Sequence, residues 1–139
     1  MSISSRFENI EMAQYLCGKL LDGHNVPEET RHWILMALRE ALANAIKHGN
    51  EQNLGKRVHL EMSVAGETLR IRIRDEGEGF DPLGVEDPLA PENRLKTSGR
   101  GIFYMKTFMD EVRFRRMDGG GMEITLTKSL AGGSKEKEE

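Results

Sequence analysis

Cysteine occurs once, at Cys17, so no intrachain disulfide can form and neither a CxxC pair nor a cysteine zinc cluster is available. A reducing cytoplasm is the expected home. Proline is scarce as well: of four residues, three fall between positions 81 and 98, which leaves the rest of the chain free to form uninterrupted elements. No apolar run is long enough to span a bilayer, and the N-terminus lacks the apolar segment of a signal peptide, so no membrane role is expected. A large excess of one charge is also missing. With a net charge of −3 and a pI near 5.9, a surface built mainly to grip nucleic acid is not expected. There is no internal repeat. What remains, 139 residues with 37% hydrophobic and 31% charged side chains, suits one globular domain with a real core. That domain is placed at 1–131, and the small, charged stretch 132–139 reads as a disordered tail.

Periodicity sets the elements. Ser5 and Glu8 have the form of a capping box, and Ile10, Ala13, Cys17, Leu20 and Leu21 follow at helical spacing. Pro27 suits the first turn of a second helix, with Glu28 and Glu29 near its positive end and Gly49-Asn50 as its stop, after about His48. Val58, Leu60, Met62 and Val64 alternate with polar residues, as do Leu69, Ile71 and Ile73, predicting two strands with one buried face. A third helix is expected from about Gly101, with Ile102, Met105 and Met109 on one face. Val112 and Phe114 then lead through Asp118-Gly119-Gly120-Gly121 into Met122, Ile124 and Leu126, a hairpin. The expectation is an α+β fold: a two-layer α/β sandwich, its mostly antiparallel sheet carrying helices on one face. The other face would hold the arginines of the second strand, as a partner surface or, more ordinarily, as a solvated one.

Three clusters carry chemistry. Glu40 and Asn44 lie ~40° apart around the second helix, away from the stripe of Ile34, Leu38, Leu42 and Ala45. A carboxylate and an amide oxygen so placed suit a water and a hard cation, although such a pair also suits the surface of any amphipathic helix. Asp75 is in phase with Leu69, Ile71 and Ile73, so its carboxylate points inward and needs donors there. Gly77 and Gly79 beside it would let backbone approach a ligand, or simply end the strand in a turn. Ser98-Gly99-Arg100-Gly101 opens the third helix, where bare backbone N–H groups favour a phosphate, or merely make a flexible helix entrance. The long 81–98 stretch before it reads as a lid.

The order of these motifs, with the wording "EALANAIKHG", "RDEGEGFDP" and "GRGIFYMKTFMDEV", resembles the GHKL ATPases, and within them the bacterial anti-sigma factor serine kinases. The resemblance covers roughly Phe7 to Leu130 and implies the Bergerat fold. It implies that Asn44 coordinates magnesium on the phosphates of ATP and that Glu40 is the general base. By the same resemblance, Asp75 accepts a hydrogen bond from the adenine amine, Gly77 and Gly79 pass beside the base, and Gly99, Arg100 and Gly101 contact phosphates. Two positions depart from the pattern. Gly121-Met122 stands where many relatives have Gly-Thr, which bears on nucleotide affinity. Thr97 stands where some kinases have arginine, which bears on phosphoryl transfer.

The resemblance implies an ATP-dependent serine protein kinase that phosphorylates a small anti-anti-sigma protein and sequesters a second partner, a sigma factor. A homodimer is among the assemblies it allows. The competing reading is a docking module that binds nucleotide without transferring phosphate. A third, the ATPase module of a histidine kinase, fits less well, since none of His24, His32, His48 and His59 lies in a phosphoacceptor helix.

Overall fold

A computed structural model describes residues 1–49, 53, 55–77 and 103–131. The 81–98 stretch read as a lid, the Gly99-Arg100-Gly101 segment, Gly79, Asn50, Thr97 and the 132–139 stretch read as a tail lie outside the described residues.

The chain opens with a short strand, β1 (Ser2–Ser4), followed by α1 (Glu8–Asp22) and α2 (Glu28–Asn44). Strands β2 (Arg57–Ala65) and β3 (Thr68–Arg74) form a hairpin; helix α3, described over 103–108, leads to β4 (Glu111–Arg116) and β5 (Met122–Ser129). Among the described residues these strands make one five-stranded antiparallel sheet in the order β1-β2-β3-β5-β4. The α+β expectation, helices on one face of an antiparallel sheet, is what the structure has.

The alternation read from sequence is the physical reason for the two layers. Val58, Leu60, Leu69, Ile71, Ile73, Ile124 and Leu126 point to one side and are buried. Ile10, Ala13, Cys17 and Leu21 of α1 and Ile34, Leu38 and Leu42 of α2 close over them. Met105 and Met109 add the third helix to the same core, as expected. Trp33 of α2 stacks on Phe108 of α3 with centroids 4.1 Å apart and rings 10° from parallel, fixing α3 against α2.

Local expectations fail in three places. The capping box does not form: the residue before α1 is Phe7, with no side-chain cap, and Ser5 is buried with its Oγ donating to the Lys56 carbonyl at 2.7 Å. The long-range bond wins because β1 brings Ser5 against the start of β2. Pro27 lies just outside the second helix rather than in its first turn, at φ −57° and ψ 146°, and its carbonyl receives the Arg31 N–H. Regular α-geometry stops at Asn44, and residues Ala45–Gly49 form a π turn.

Candidate functional site

Asn44 is the last residue of α2 and is 3% exposed. Its Oδ1 is buried with no hydrogen-bond partner among the described residues. An orphaned buried oxygen normally costs stability, so such atoms cluster where a ligand supplies the missing partner. The abrupt widening of the helix into a π turn at the next residue fits this, since such turns recur at functional sites. One turn earlier, Glu40 keeps 21% of its side chain exposed, with Arg39 Nη2 3.3 Å from Oε2. The pair is thus divided: Asn44 faces inward with an unused acceptor, while Glu40 reaches solvent from the same end of the helix.

Asp75 follows β3 and is buried as its phase requires. Its Oδ1 accepts from the Gly77 N–H at 3.0 Å and the Met122 N–H at 3.1 Å, and its own N–H donates to the Met122 carbonyl at 3.0 Å. These bonds fix the plane of the carboxylate, so Gly77 meets Asp75 directly. The next residue, Glu76, turns outward. Its carboxylate accepts from the Arg57 N–H at 2.9 Å and pairs with His59 Nε2 at 2.5 Å. The Arg57 N–H, then His59, hold the Glu76 carboxyl below its usual range. The chain leaving β3 is therefore anchored on both sides, inward by Asp75 and outward by Glu76.

Sequence reasoning missed the support that β5 gives. Gly121 has φ +92°, and a Cβ there would stand 2.3 Å from the Asp75 carbonyl oxygen. The position therefore admits only glycine, for both conformation and space. The one signal available was the run of three glycines before Met122. Met122 serves Asp75 through its backbone while its side chain is buried, so the departure from Gly-Thr leaves this anchoring bond intact.

The residues fit a hard cation carried by a nucleotide better than a resident metal. Among the described residues no three His, Cys, Asp or Glu side chains gather to hold a metal ion. A lone amide oxygen suits magnesium, which is commonly held by one or two protein oxygens together with phosphates and water.

The fold is thus a two-layer α/β sandwich with a buried Asp75 just after β3 and with Glu40 and Asn44 one turn apart on the packed helix. Residues 3–128 match the histidine kinase-like ATPase domain family, and the chain belongs to that family. It is 31% identical to the serine-protein kinase RsbW of Bacillus subtilis over 103 residues, covering 70% of this chain and 63% of that protein. It is 35% identical to the anti-sigma F factor of Bacillus velezensis over 100 residues, covering 70% and 68%. Among solved structures, the RsbU and RsbW domains of Rv1364c from Mycobacterium tuberculosis superpose with a TM-score of 0.63 at 18% identity. That match covers 94% of this chain and 32% of the other. The histidine kinase domain of a blue-light activated kinase from Erythrobacter litoralis gives 0.61 at 20% identity, covering 90% and 61%. These two structural matches bear on the fold. No described helix is long and apolar enough to cross a membrane.

Proposed function

We propose that this domain is an ATP-dependent serine protein kinase of the anti-sigma type. It phosphorylates a small anti-anti-sigma protein and sequesters a second partner, a sigma factor. The observation that carries the reading is the buried, unpartnered Oδ1 of Asn44 one turn from the solvent-reaching Glu40. The names of the relatives, a serine-protein kinase and an anti-sigma factor, support the substrate class.

In this reading the adenine amine donates to Asp75, whose carboxylate is already oriented by Gly77 and Met122. Asn44 offers its oxygen to magnesium on the phosphates, and the ion supplies charge neutralisation there. Gly79 passes beside the base, and Gly99, Arg100 and Gly101 are assigned to the phosphates. Glu40 takes the proton of the partner's serine hydroxyl as its oxygen bonds to the γ-phosphorus and ADP departs with the electron pair of the broken bond.

The test is single-turnover transfer of labelled phosphate to the anti-anti-sigma partner, with ATP binding measured on the same preparations. Glu40→Gln is expected to bind Mg-ATP normally and to lose transfer by on the order of 10²–10⁴, the usual contribution of a positioned base. A wild-type domain that binds ATP and partner yet transfers nothing would instead be a nucleotide-dependent docking module. Undiminished transfer in Glu40→Gln would remove the base role from Glu40.

A further inference from the structure

The face of the sheet turned away from the helices has a pattern of its own. β5 runs between β3 and β4, and its outward residues there are Glu123, Thr125 and Thr127. The register sets Arg74 and Arg115 on either side of Glu123, Arg72 and Arg113 on either side of Thr125, and Arg70 and Glu111 on either side of Thr127. Five arginines and Glu111 thus flank a floor of Thr125 and Thr127 that ends at Glu123, itself paired with Arg115.

Charge on this face is unbalanced. Three glutamates are already engaged: Glu61 with Arg72 at 3.6 Å, Glu111 with Arg113 at 2.6 Å and Glu123 with Arg115 at 3.4 Å. Arg70 and Arg74 have no carboxylate partner among the described residues. A chain of net charge −3 has therefore gathered five arginines, and no lysine, on these two strands' outward side. Arginine is the cation that grips carboxylates through two parallel N–H bonds.

The dimensions choose the occupant. Strands pack roughly 4.8 Å apart, so the two arginine rows stand about 10 Å from each other, the width of one extended chain. Along a strand, successive outward residues are roughly 6.6 Å apart, which is also the spacing of alternate side chains in an extended peptide. At the hairpin end the channel opens into a cavity of about 360 Å³ whose lining includes three arginines, Arg74, Arg115 and Arg116, against one carboxylate, Asp118. Single-stranded nucleic acid is disfavoured, because Phe, Tyr and Trp are absent from the outward positions of β2 to β5, leaving no ring on which a base can stack.

We propose that this face binds an extended acidic segment of a partner protein, laid along β5 with carboxylates at alternate positions between the arginines of β3 and β4. The inference does not rest on the kinase reading, because the surface lies on the far side of the sheet from Glu40 and Asn44.

The test is fluorescence anisotropy with a labelled nine-residue peptide carrying glutamate at alternate positions. A second peptide has the same composition with its glutamates in one block, and a uridine oligonucleotide is the third probe. Wild-type protein should bind the alternating peptide at least ten-fold more tightly than the block peptide, and more tightly than the oligonucleotide. Arg72→Gln with Arg113→Gln should weaken it ten-fold or more. Thr125→Tyr, which fills the floor without removing a charge, should weaken it comparably. Circular dichroism checks that each variant is folded; both changes lie at solvent-facing positions. Equal binding of the two peptides, or full binding by Thr125→Tyr, reduces the face to non-specific attraction and overturns the proposal. Preference for the oligonucleotide overturns it in favour of a nucleic-acid surface.

Discussion

The Oδ1 of Asn44 and the missing Cβ of Gly121 have opposite consequences for the free protein. A buried acceptor without a donor costs about 1–3 kcal/mol, so in the free protein Asn44 is a liability. Asn44→Ala should therefore leave the unliganded domain within about 1 kcal/mol of wild type in thermal unfolding. The same variant should lose affinity for Mg-ATP far more than for magnesium-free ATP in calorimetry. A variant that is badly destabilised without ligand would make Asn44 a structural residue instead. Gly121→Ala should behave in the reverse way. Its φ of +92° and the 2.3 Å approach to the Asp75 carbonyl oppose any Cβ, so a loss of about 2–4 kcal/mol is expected in denaturant titrations before any ligand is added. Of these residues, Asp75 was legible because its phase on β3 announces an inward carboxylate. Glu40 and Asn44 were legible as a pair, but their division into one half-buried and one buried group was not, since that depends on where α2 gives way to a π turn. The duty of Gly121 depends on a strand partner 46 residues away, which no local pattern records.

At the scale of elements, long alternating or helical stretches were readable and short ones were not. The strands of both hairpins declare themselves through period two. β1 has three residues, too few to show a period, and its single buried side chain, Ile3, sits among serines. Its place is set by pairing with β2 and by the Met1 amine, which donates to the Leu60 carbonyl at 2.8 Å. That same pairing diverts Ser5 from the capping role its spacing suggested, an instance of tertiary contact overriding a local motif. If β1 is an integral part of the sheet, Ile3→Ala should cost about 2–4 kcal/mol, the usual range for emptying a buried aliphatic site. Chemical denaturation measures this directly, and a loss below about 0.5 kcal/mol, the surface-substitution level, would mean that β1 is a loose edge. The α1–α2 contact has a comparable polar tie. Arg31 Nη1 donates to the Gly18 carbonyl at 3.0 Å and to Asp22 at 2.6 Å, and the bare Cα of Gly18 leaves the guanidinium its room.

For the molecule as a whole, one aliphatic core joins both helices, α3 and the sheet, so a probe at its centre should report global unfolding. Cys17 is such a probe: it is free and fully buried in α1. Burial pushes its thiol up from the ordinary value of 9.0 to about 11, with Arg31 pulling weakly the other way. The folded protein thus keeps this proton over a pH range in which the unfolded chain gives it up. A group whose folded value is raised contributes its full stability below the unfolded value and loses it as pH climbs through the folded one. The window is therefore from about pH 9 to about pH 11, and a shift of this size corresponds to about 2–3 kcal/mol across it. Wild type should lose that much more stability than Cys17→Ala over this range, whatever offset the lost side chain imposes at neutral pH. Urea titrations of both proteins at several pH values provide the comparison, with the slope rather than the absolute stability as the readout. At pH 8, alkylation of Cys17 should be slow in the native protein and should accelerate with the cooperative unfolding transition. Parallel pH slopes for the two proteins, or rapid native alkylation, would mean that the helical layer opens locally over α1 without the rest of the core.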